Sequence, residues 1–362
     1  SYPSGRLADI YGRKGVLLAG LLVSLAGAVG LGTSMLRGSF PGFLFALLLF
    51  GLGNGASQQQ RRLSAADMYP PERRAQGLGF VLTGSLVGAV GGPLLISLAG
   101  ALAGGDSVKQ MAFSWFLVPL VLLPSMGLIL LIKPDPKQIG LDLARYWPGY
   151  QPPASAARPN VAGRVTILTF ARNYPHVVAF ASMFVLFGNM SMMMALAPMT
   201  MTANGMALSV ISLTVALHVV GMFGLSMPLG RLADRFGRRP VLFGGVALST
   251  AGTVLVALAH SFPPVLLGLF IIGVGWCAGN VASAALVADT TPVHIRGRAM
   301  GAISSFSAMA SVAAPLLGGV LVQLWGPLSL VAITLLFMMP TAALLARLRE
   351  TSPGRYAHTQ AF

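Results

Sequence analysis

Ten long apolar runs constrain this chain more than any other feature. They lie near residues 16–35, 40–57, 78–103, 111–132, 177–199, 208–229, 240–259, 264–288, 300–324 and 328–345, and the second continues in polar form to Ala66. A helix crosses a bilayer in roughly 20 apolar residues, so each run is long enough to span. Composition points the same way. Hydrophobic residues make up 55% of the chain and charged ones 9%, whereas a soluble domain carries about 25% charge. A soluble enzyme, a nucleic-acid-binding domain and a disordered chain are excluded on that ground. A membrane barrel is excluded too, because its strands are short and alternate in polarity. The expected class is an all-α membrane protein.

The charges orient the runs. The net charge is +15, from 24 Lys and Arg against nine Asp and Glu. In a membrane protein such an excess marks cytoplasmic loops. With 5–14 on the cytoplasmic side, alternation places 61–74, 133–172, 231–239, 294–298 and the tail from Arg347 there as well. Only Arg37 and Lys109 then fall on the far side, which leaves 22 of the 24 cytoplasmic. The expected partner is the lipid bilayer, not nucleic acid. The single cysteine, Cys277, excludes an internal disulfide. No signal peptide is visible. The chain opens at Ser1 beside a charged loop, so the natural N-terminus is expected upstream. The interval 133–172 contains Pro152, Pro153 and Pro159 and reads as a linker between two bundles. Ile139, Leu143 and Trp147 recur in it at helical spacing. It is either a plain tether or a surface helix, the latter weakened by Gly140.

A repeat runs through the two halves. Gly5-Arg6-Leu7-Ala8-Asp9-Ile10-Tyr11-Gly12-Arg13-Lys14 returns 225 residues later as Gly230-Arg231-Leu232-Ala233-Asp234-Arg235-Phe236-Gly237-Arg238-Arg239. Gly51-Leu52-Gly53, Asp67, Pro70 and Arg74 return 222 residues later as Gly273-Val274-Gly275, Asp289, Pro292 and Arg296. Gly79 and Pro93 return at the same offset as Gly301 and Pro315.

These residues make the chain resemble the major facilitator superfamily of secondary transporters, whose most specific signature is the Gly-Arg-Leu-Ala-Asp-x-x-Gly-Arg-Lys/Arg loop. The resemblance covers essentially the whole chain. It implies a fold of two pseudo-symmetric six-helix bundles, in which the ten runs are helices 3–12 of 12. The implied domains are an N-terminal bundle at 1–132, a cytoplasmic linker at 133–172, a C-terminal bundle at 173–350 and a cytoplasmic tail at 351–362.

Gly5, Gly12, Gly230 and Gly237 permit tight turns where backbones approach. Asp9 is placed to meet a helix N-terminus, which favours negative charge. The resemblance implies that this is helix 11, starting near Arg298. Arg13 then bridges Asp9 and Asp67. Asp234, Arg238 and Asp289 form the symmetry mate, with helix 5 as the target. Both sets read as conformational latches on the cytoplasmic side, or else as ordinary charges that anchor helix ends. In helix 5, Gly79, Gly88, Gly92 and Pro93 resemble a signature of drug–proton antiporters, and small residues at such spacing let helices pack closely. Ile96 and Ser97 depart from that pattern, and its Pro-x-x-Gly-Gly ending stands in helix 11 as Pro315, Gly318 and Gly319. Generic helix packing is the other reading. Leu47 occupies the place where many proton-coupled antiporters carry an arginine.

The resemblance also implies that helices 1, 4, 7 and 10 line the cargo cavity. The candidates for cargo binding are Asn54 and Gln58, Asn189, and Trp276 with Asn280. Hydrogen bonding between helices is an equal alternative for the asparagines. Asn54, Ser57, Gln58 and Arg61 share a helical face, crowded by Gln59, Gln60 and Arg62; Ser283 follows Asn280. Met190, Met192, Met193 and Met194 form either an adaptable wall or packed core. Arg61 could attract an anionic group, though pairing with Asp67 is expected. His218 stands alone in its span, a proton or cargo contact or a hydrogen-bonded core histidine. No Asp or Glu lies mid-span. No Walker loop, metal-ligand spacing or nucleophile motif is present, so neither enzyme activity nor a cofactor is expected. The expected function is secondary active transport by alternating access in the cytoplasmic (inner) membrane by a monomer. Its leading form is efflux of small amphipathic cargo by antiport with protons. The alternatives are an uptake permease for a sugar or organic anion and a transporter-like sensor.

Overall fold

The computed structural model describes residues 2–151, 167–203, 205–206, 208–259 and 261–350. Pro152, Pro153 and Pro159 of the expected linker and the expected tail at 351–362 lie outside the described residues. Among the described residues the chain is helical, without strands. In order the helices are α1 (Tyr2–Tyr11), α2 (Arg13–Leu36), α3 (Phe40–Met68), α4 (Arg74–Ala103), α5 (Ser107–Phe116), α6 (Val118–Leu131), α7 (Pro136–Leu141), α8 (Leu143–Tyr146), α9 (Ile167–Ala171), α10 (Tyr174–Ala203), α11 (Leu208–Phe223), α12 (Ser226–Phe236), α13 (Arg238–Ala257), α14 (Phe262–Asp289), α15 (Val293–Trp325) and α16 (Leu328–Arg347). A single 3₁₀ turn, Pro71–Arg73, precedes α4. Ten segments among the described residues are long and apolar enough to cross a membrane. Helix is the form that satisfies every backbone group within such a segment.

Two of the expected loops are instead helices. Residues 5–11 and 231–236 belong to α1 and α12, residues 13–14 and 238–239 open α2 and α13, and the chain breaks only at Gly12 and Gly237, with φ of 91° and 109°. With ψ of 169° and 165° this is a region almost confined to glycine, and residues with a Cβ adopt it at a cost of roughly 1–3 kcal/mol. Two expected single runs are each divided. Run 111–132 splits at Leu117, where Pro119 opens α6 without an N–H to donate. Run 208–229 splits between Phe223 and Ser226. The segment after α6 is neither one surface helix nor an extended tether over its described part. It forms α7 and α8, buries Ile139 and Leu143, and donates from Trp147 Nε1 to the Met68 carbonyl at 2.8 Å. Gly140 serves close approach here, since a Cβ would come within 3.0 Å of Asp67 Cβ.

The residues group into two compact units that do not follow chain order. Among the described residues, one comprises those of 1–68, 87–150 and 293–301; the other comprises those of 69–86, 151–292 and 302–350. Within the second, Met192, Met193, Ala197, Met201, Leu269 and Ile272 belong to one buried core. Met192 and Met193 are therefore packed side chains.

Candidate functional site

Two clusters of buried charge are built on the repeated sequence, each inside one compact unit. In the first, Arg13 opens α2 directly after Gly12. Its Nη1 donates to Asp9 Oδ1 at 2.8 Å, its Nε to Asp67 Oδ2 at 2.8 Å, and its Nη2 to the Val293 carbonyl at 2.9 Å. Asp9 also accepts from the backbone N–H groups of Gly297 at 2.9 Å and Arg298 at 3.0 Å. Arg296 pairs with the other oxygen of Asp67. Arg13 is wholly buried, and a buried guanidinium is tolerable only when carboxylates and carbonyls surround it in this way. Burial pushes the Asp9 carboxyl above its usual range, while Arg13 and the two backbone N–H groups pull against that shift.

The second cluster has the same register. Arg238 Nη1 donates to Asp234 Oδ1 at 2.6 Å, Nε to Asp289 Oδ2 at 3.0 Å, and Nη2 to the Pro71 carbonyl at 2.7 Å. Asp234 accepts from the N–H groups of Ala75 at 3.1 Å and Gln76 at 2.8 Å, at the start of α4. Arg74 pairs with the remaining oxygen of Asp289. Pro71, Arg74, Ala75 and Gln76 correspond to Val293, Arg296, Gly297 and Arg298, all at the offset of 222. The helix that meets Asp9 begins at Val293, with Pro292 at its N-cap, rather than near Arg298. The glycines permit the approach. A Cβ on Gly5 would overlap the Gly297 carbonyl, and one on Gly230 the Ala75 carbonyl.

Four participants were not among the sequence candidates. Arg74 and Arg296 were legible as members of the repeat, but their pairing with Asp289 and Asp67 was not. Asp135 accepts from the N–H groups of Arg13 at 3.1 Å and Lys14 at 2.9 Å. Glu350 accepts from those of Arg238 at 2.8 Å and Arg239 at 3.0 Å. Each places a carboxylate on the start of a long helix, where the unpaired N–H groups favour it. These two residues stand 215 apart, off the register of the repeat, so residue spacing carries no sign of their common role.

The polar candidates on the spanning helices are distributed unevenly. Asn189 on α10 donates from Nδ2 to Thr253 Oγ1 at 2.9 Å, and its Oδ1 accepts from Thr334 at 2.9 Å. It thus ties three helices together. It also lines an apolar cavity of about 80 Å³ with Gly188, Met192, Ala314, Thr334 and Phe337. Trp276, Asn280 and Ser283 follow one face of α14. All three are buried, and Trp276 Nε1, Asn280 Nδ2 and Ser283 Oγ have no hydrogen-bond partner among the described residues. The Trp276 ring packs against Phe187 and Phe223, with centroids 5.0 and 5.7 Å away. His218 Nδ1 lies 2.6 Å from the Leu269 carbonyl, and its Nε2 is buried without a partner among the described residues. On α3, in the first unit, Asn54 is half-buried and Gln58 exposed. Arg61 does not pair with Asp67, because Arg13 and Arg296 occupy both of that carboxylate's oxygens.

The sequence profile of the Major Facilitator Superfamily matches residues 1–169 and 178–361. The chain belongs to the Major Facilitator Superfamily. It is therefore a small-molecule transporter and not an enzyme, and its ten spans make it a multi-pass membrane protein. The uncharacterized MFS-type transporter YdeG of Bacillus subtilis is 26% identical over 88% of this chain and 73% of its own length. The riboflavin transporter RfnT of Brucella anthropi is 24% identical over 81% and 68%. The multidrug resistance protein MdtH of Aeromonas salmonicida is 31% identical, over 39% and 36%. Among solved structures, the proton:xylose symporter XylE superposes with a TM-score of 0.75 at 16% identity, covering 97% of this chain and 84% of its own.

The expected packing motif of this superfamily member divides. A Cβ on Gly79 would overlap the Ser226 carbonyl, and Ser226 Oγ donates to the Gly79 carbonyl at 2.9 Å. A Cβ on Gly318 would meet Met192 at 2.7 Å, and one on Gly319 only Leu196 at 3.9 Å. Gly88 and Gly92 face open space, with nothing within 4 Å. Pro93 and Pro315 lie inside α4 and α15.

Proposed function

We propose that this superfamily member works by alternating access and exports small amphipathic compounds from the cytoplasm in exchange for protons. The observation that carries the alternating-access part is the pair of matched charge clusters. Each links residues of one sequence half to the first turns of a helix from the other half. Charged hydrogen bonds of this kind form and break as units, which suits latches on a rocking transporter. In this reading Asp9, Arg13 and Asp67 form one latch and Asp234, Arg238 and Asp289 the other. The bundles are residues 1–132 and 173–350, joined by 133–172, and the protein acts as a monomer in the inner membrane. Trp276, Asn280 and Asn189 contact cargo, and His218 carries the proton.

Export is supported by the Gly79, Pro93, Pro315 and Gly318 pattern and by the similarity to a multidrug resistance protein. Import is the second reading, favoured by the similarity to a riboflavin transporter and a xylose symporter. The two separate in one assay. Cells expressing the full-length protein are loaded with amphipathic dyes of either charge, with and without an uncoupler. Export predicts lower retention that the uncoupler restores. Asp234→Asn should slow it by about tenfold, the loss of one charged hydrogen bond's ~1.5 kcal/mol, at equal protein level. Retention that rises with expression for any dye means import. Unchanged turnover in Asp234→Asn removes the latch.

A further inference from the structure

A hollow of about 360 Å³ lies between α12 and α13, with Ala278 of α14 at its floor. Ligand sites begin at about 300 Å³. Its walls are apolar. Leu229, Leu232 and Phe236 lie three and four residues apart, on one stripe of α12. Val241, Gly244 and Leu248 form the facing stripe of α13. Two adjacent glycines shape the space. A Cβ on Gly245 would come within 2.9 Å of the Gly275 carbonyl, so Gly245 seats α13 on α14. A Cβ on Gly244 would meet nothing within 4 Å, so the hollow occupies the room a side chain there would take. The three helices belong to the second compact unit, and so do α10 and α16, which also pack on α13.

From Pro240 to Leu248 the hollow runs eight residues along α13, about 12 Å at 1.5 Å per residue. Half of a ~30 Å hydrocarbon core is about 15 Å. The hollow therefore stays within one leaflet, the one that the arginine bias marks as cytoplasmic. An apolar space of that length fits a single acyl chain.

Its outer rim holds a fixed cation. The Arg235 guanidinium lies over the Phe236 ring, 5.3 Å from its centroid, inside the ~6 Å reach of a cation–π contact. Phe236 is itself a wall of the hollow, so the stack sets the charge at its edge. Arg231 stands one turn earlier, and both arginines are exposed. Among the described residues no carboxylate lines the hollow. Asp234 is bonded to Arg238 and to the N–H groups of Ala75 and Gln76. Glu350 accepts from the N–H groups of Arg238 and Arg239. Charge bias explains arginines on this side of the membrane; it does not explain a cation stacked on the wall of an apolar hollow.

We propose that this hollow holds one acyl chain of an anionic phospholipid of the surrounding bilayer, with the lipid phosphate on Arg235. A guanidinium engages phosphate through paired N–H donors, and basic pockets between spanning helices recognise anionic headgroups in this way. One lipid per protein is expected. At the offset of 225, Arg235 and Gly244 correspond to Ile10 and Ala19, so the first half has neither the cation nor the vacant side-chain position.

The test is native mass spectrometry of the full-length protein, titrated with phosphatidylglycerol or, as the uncharged-overall control, phosphatidylcholine. The wild type should retain one phosphatidylglycerol about tenfold more tightly than phosphatidylcholine. Arg235→Gln should remove that preference, and Arg235→Lys should restore part of it. Gly244→Leu, which fills the hollow, should weaken phosphatidylglycerol binding at least tenfold. Arg145→Gln deletes an equally stacked cation, on Tyr146 of α8 and outside the hollow, and should change nothing. Melting temperatures without added lipid should match the wild type; if Arg235→Gln lowers its own, Gly244→Leu decides. Equal retention of the two lipids by the wild type overturns the proposal. So does phosphatidylglycerol binding that Arg235→Gln and Gly244→Leu leave intact, or that Arg145→Gln lowers as much as Arg235→Gln, since lipid is then drawn by net charge alone. Lipid retention involves neither cargo nor transport, so its outcome is separate from that of the export reading.

Discussion

Helices α3 and α14 are the same element written twice, and they have diverged in an instructive way. Their cytoplasmic ends match. Asp67 and Asp289 each lie between two arginines in equivalent bonds. Their middles do not match. Asn54, Gln58 and Arg61 correspond to Trp276, Asn280 and Ser283. The charged ends are fixed because each carboxylate completes a buried network whose other members would be stranded without it. The middle faces carry no such charged network. Duplication therefore marks the residues common to both clusters and the positions at which the two helices differ.

The sharpest way to break that comparison is to remove the arginine at the centre of each cluster. Arg13→Ala and Arg238→Ala should each cost about 3–5 kcal/mol, because two buried carboxylates lose their partner. Thermal unfolding in nanodiscs measures both. A large loss at one and none at the other would mean that the two ends are not equivalent. A smaller effect is expected at the helix breaks. Gly12→Ala and Gly237→Ala force a Cβ into a positive-φ position against Asp135 or Glu350, at about 1–3 kcal/mol each.

The middles should respond in the opposite sense. Asn280→Leu removes a buried donor that has no partner among the described residues, so stability should hold or rise by about 1 kcal/mol while transport falls. A drop in stability at unchanged transport would assign Asn280 to packing.

Much of this was legible in residue order. Spans can be read because a hydrocarbon core demands long apolar runs, and the cytoplasmic clusters can be read because their residues recur at a fixed offset. Asp135 and Glu350 could not be found that way. Each is a lone acid after a span, and what it does depends on which helix start folds back beside it. The expected pairing of Arg61 with Asp67 failed for a similar reason. Sequence spacing made the contact feasible, but it gave no sign that Arg296, 229 residues away, would take the place.

The sequence by itself determined that the chain is helical, that it crosses a membrane ten times over the described residues, that its halves are related, and which residues repeat. These follow from periodicity, run length and charge bias, which act locally along the chain. Only the tertiary structure decided who partners whom. It gave Asp67 to Arg13 and Arg296, tied Asn189 to two threonines, and left the donors of Trp276 and Asn280 without a partner among the described residues. A side chain has few hydrogen-bonding positions, and which neighbours fill them is settled by contacts between segments hundreds of residues apart.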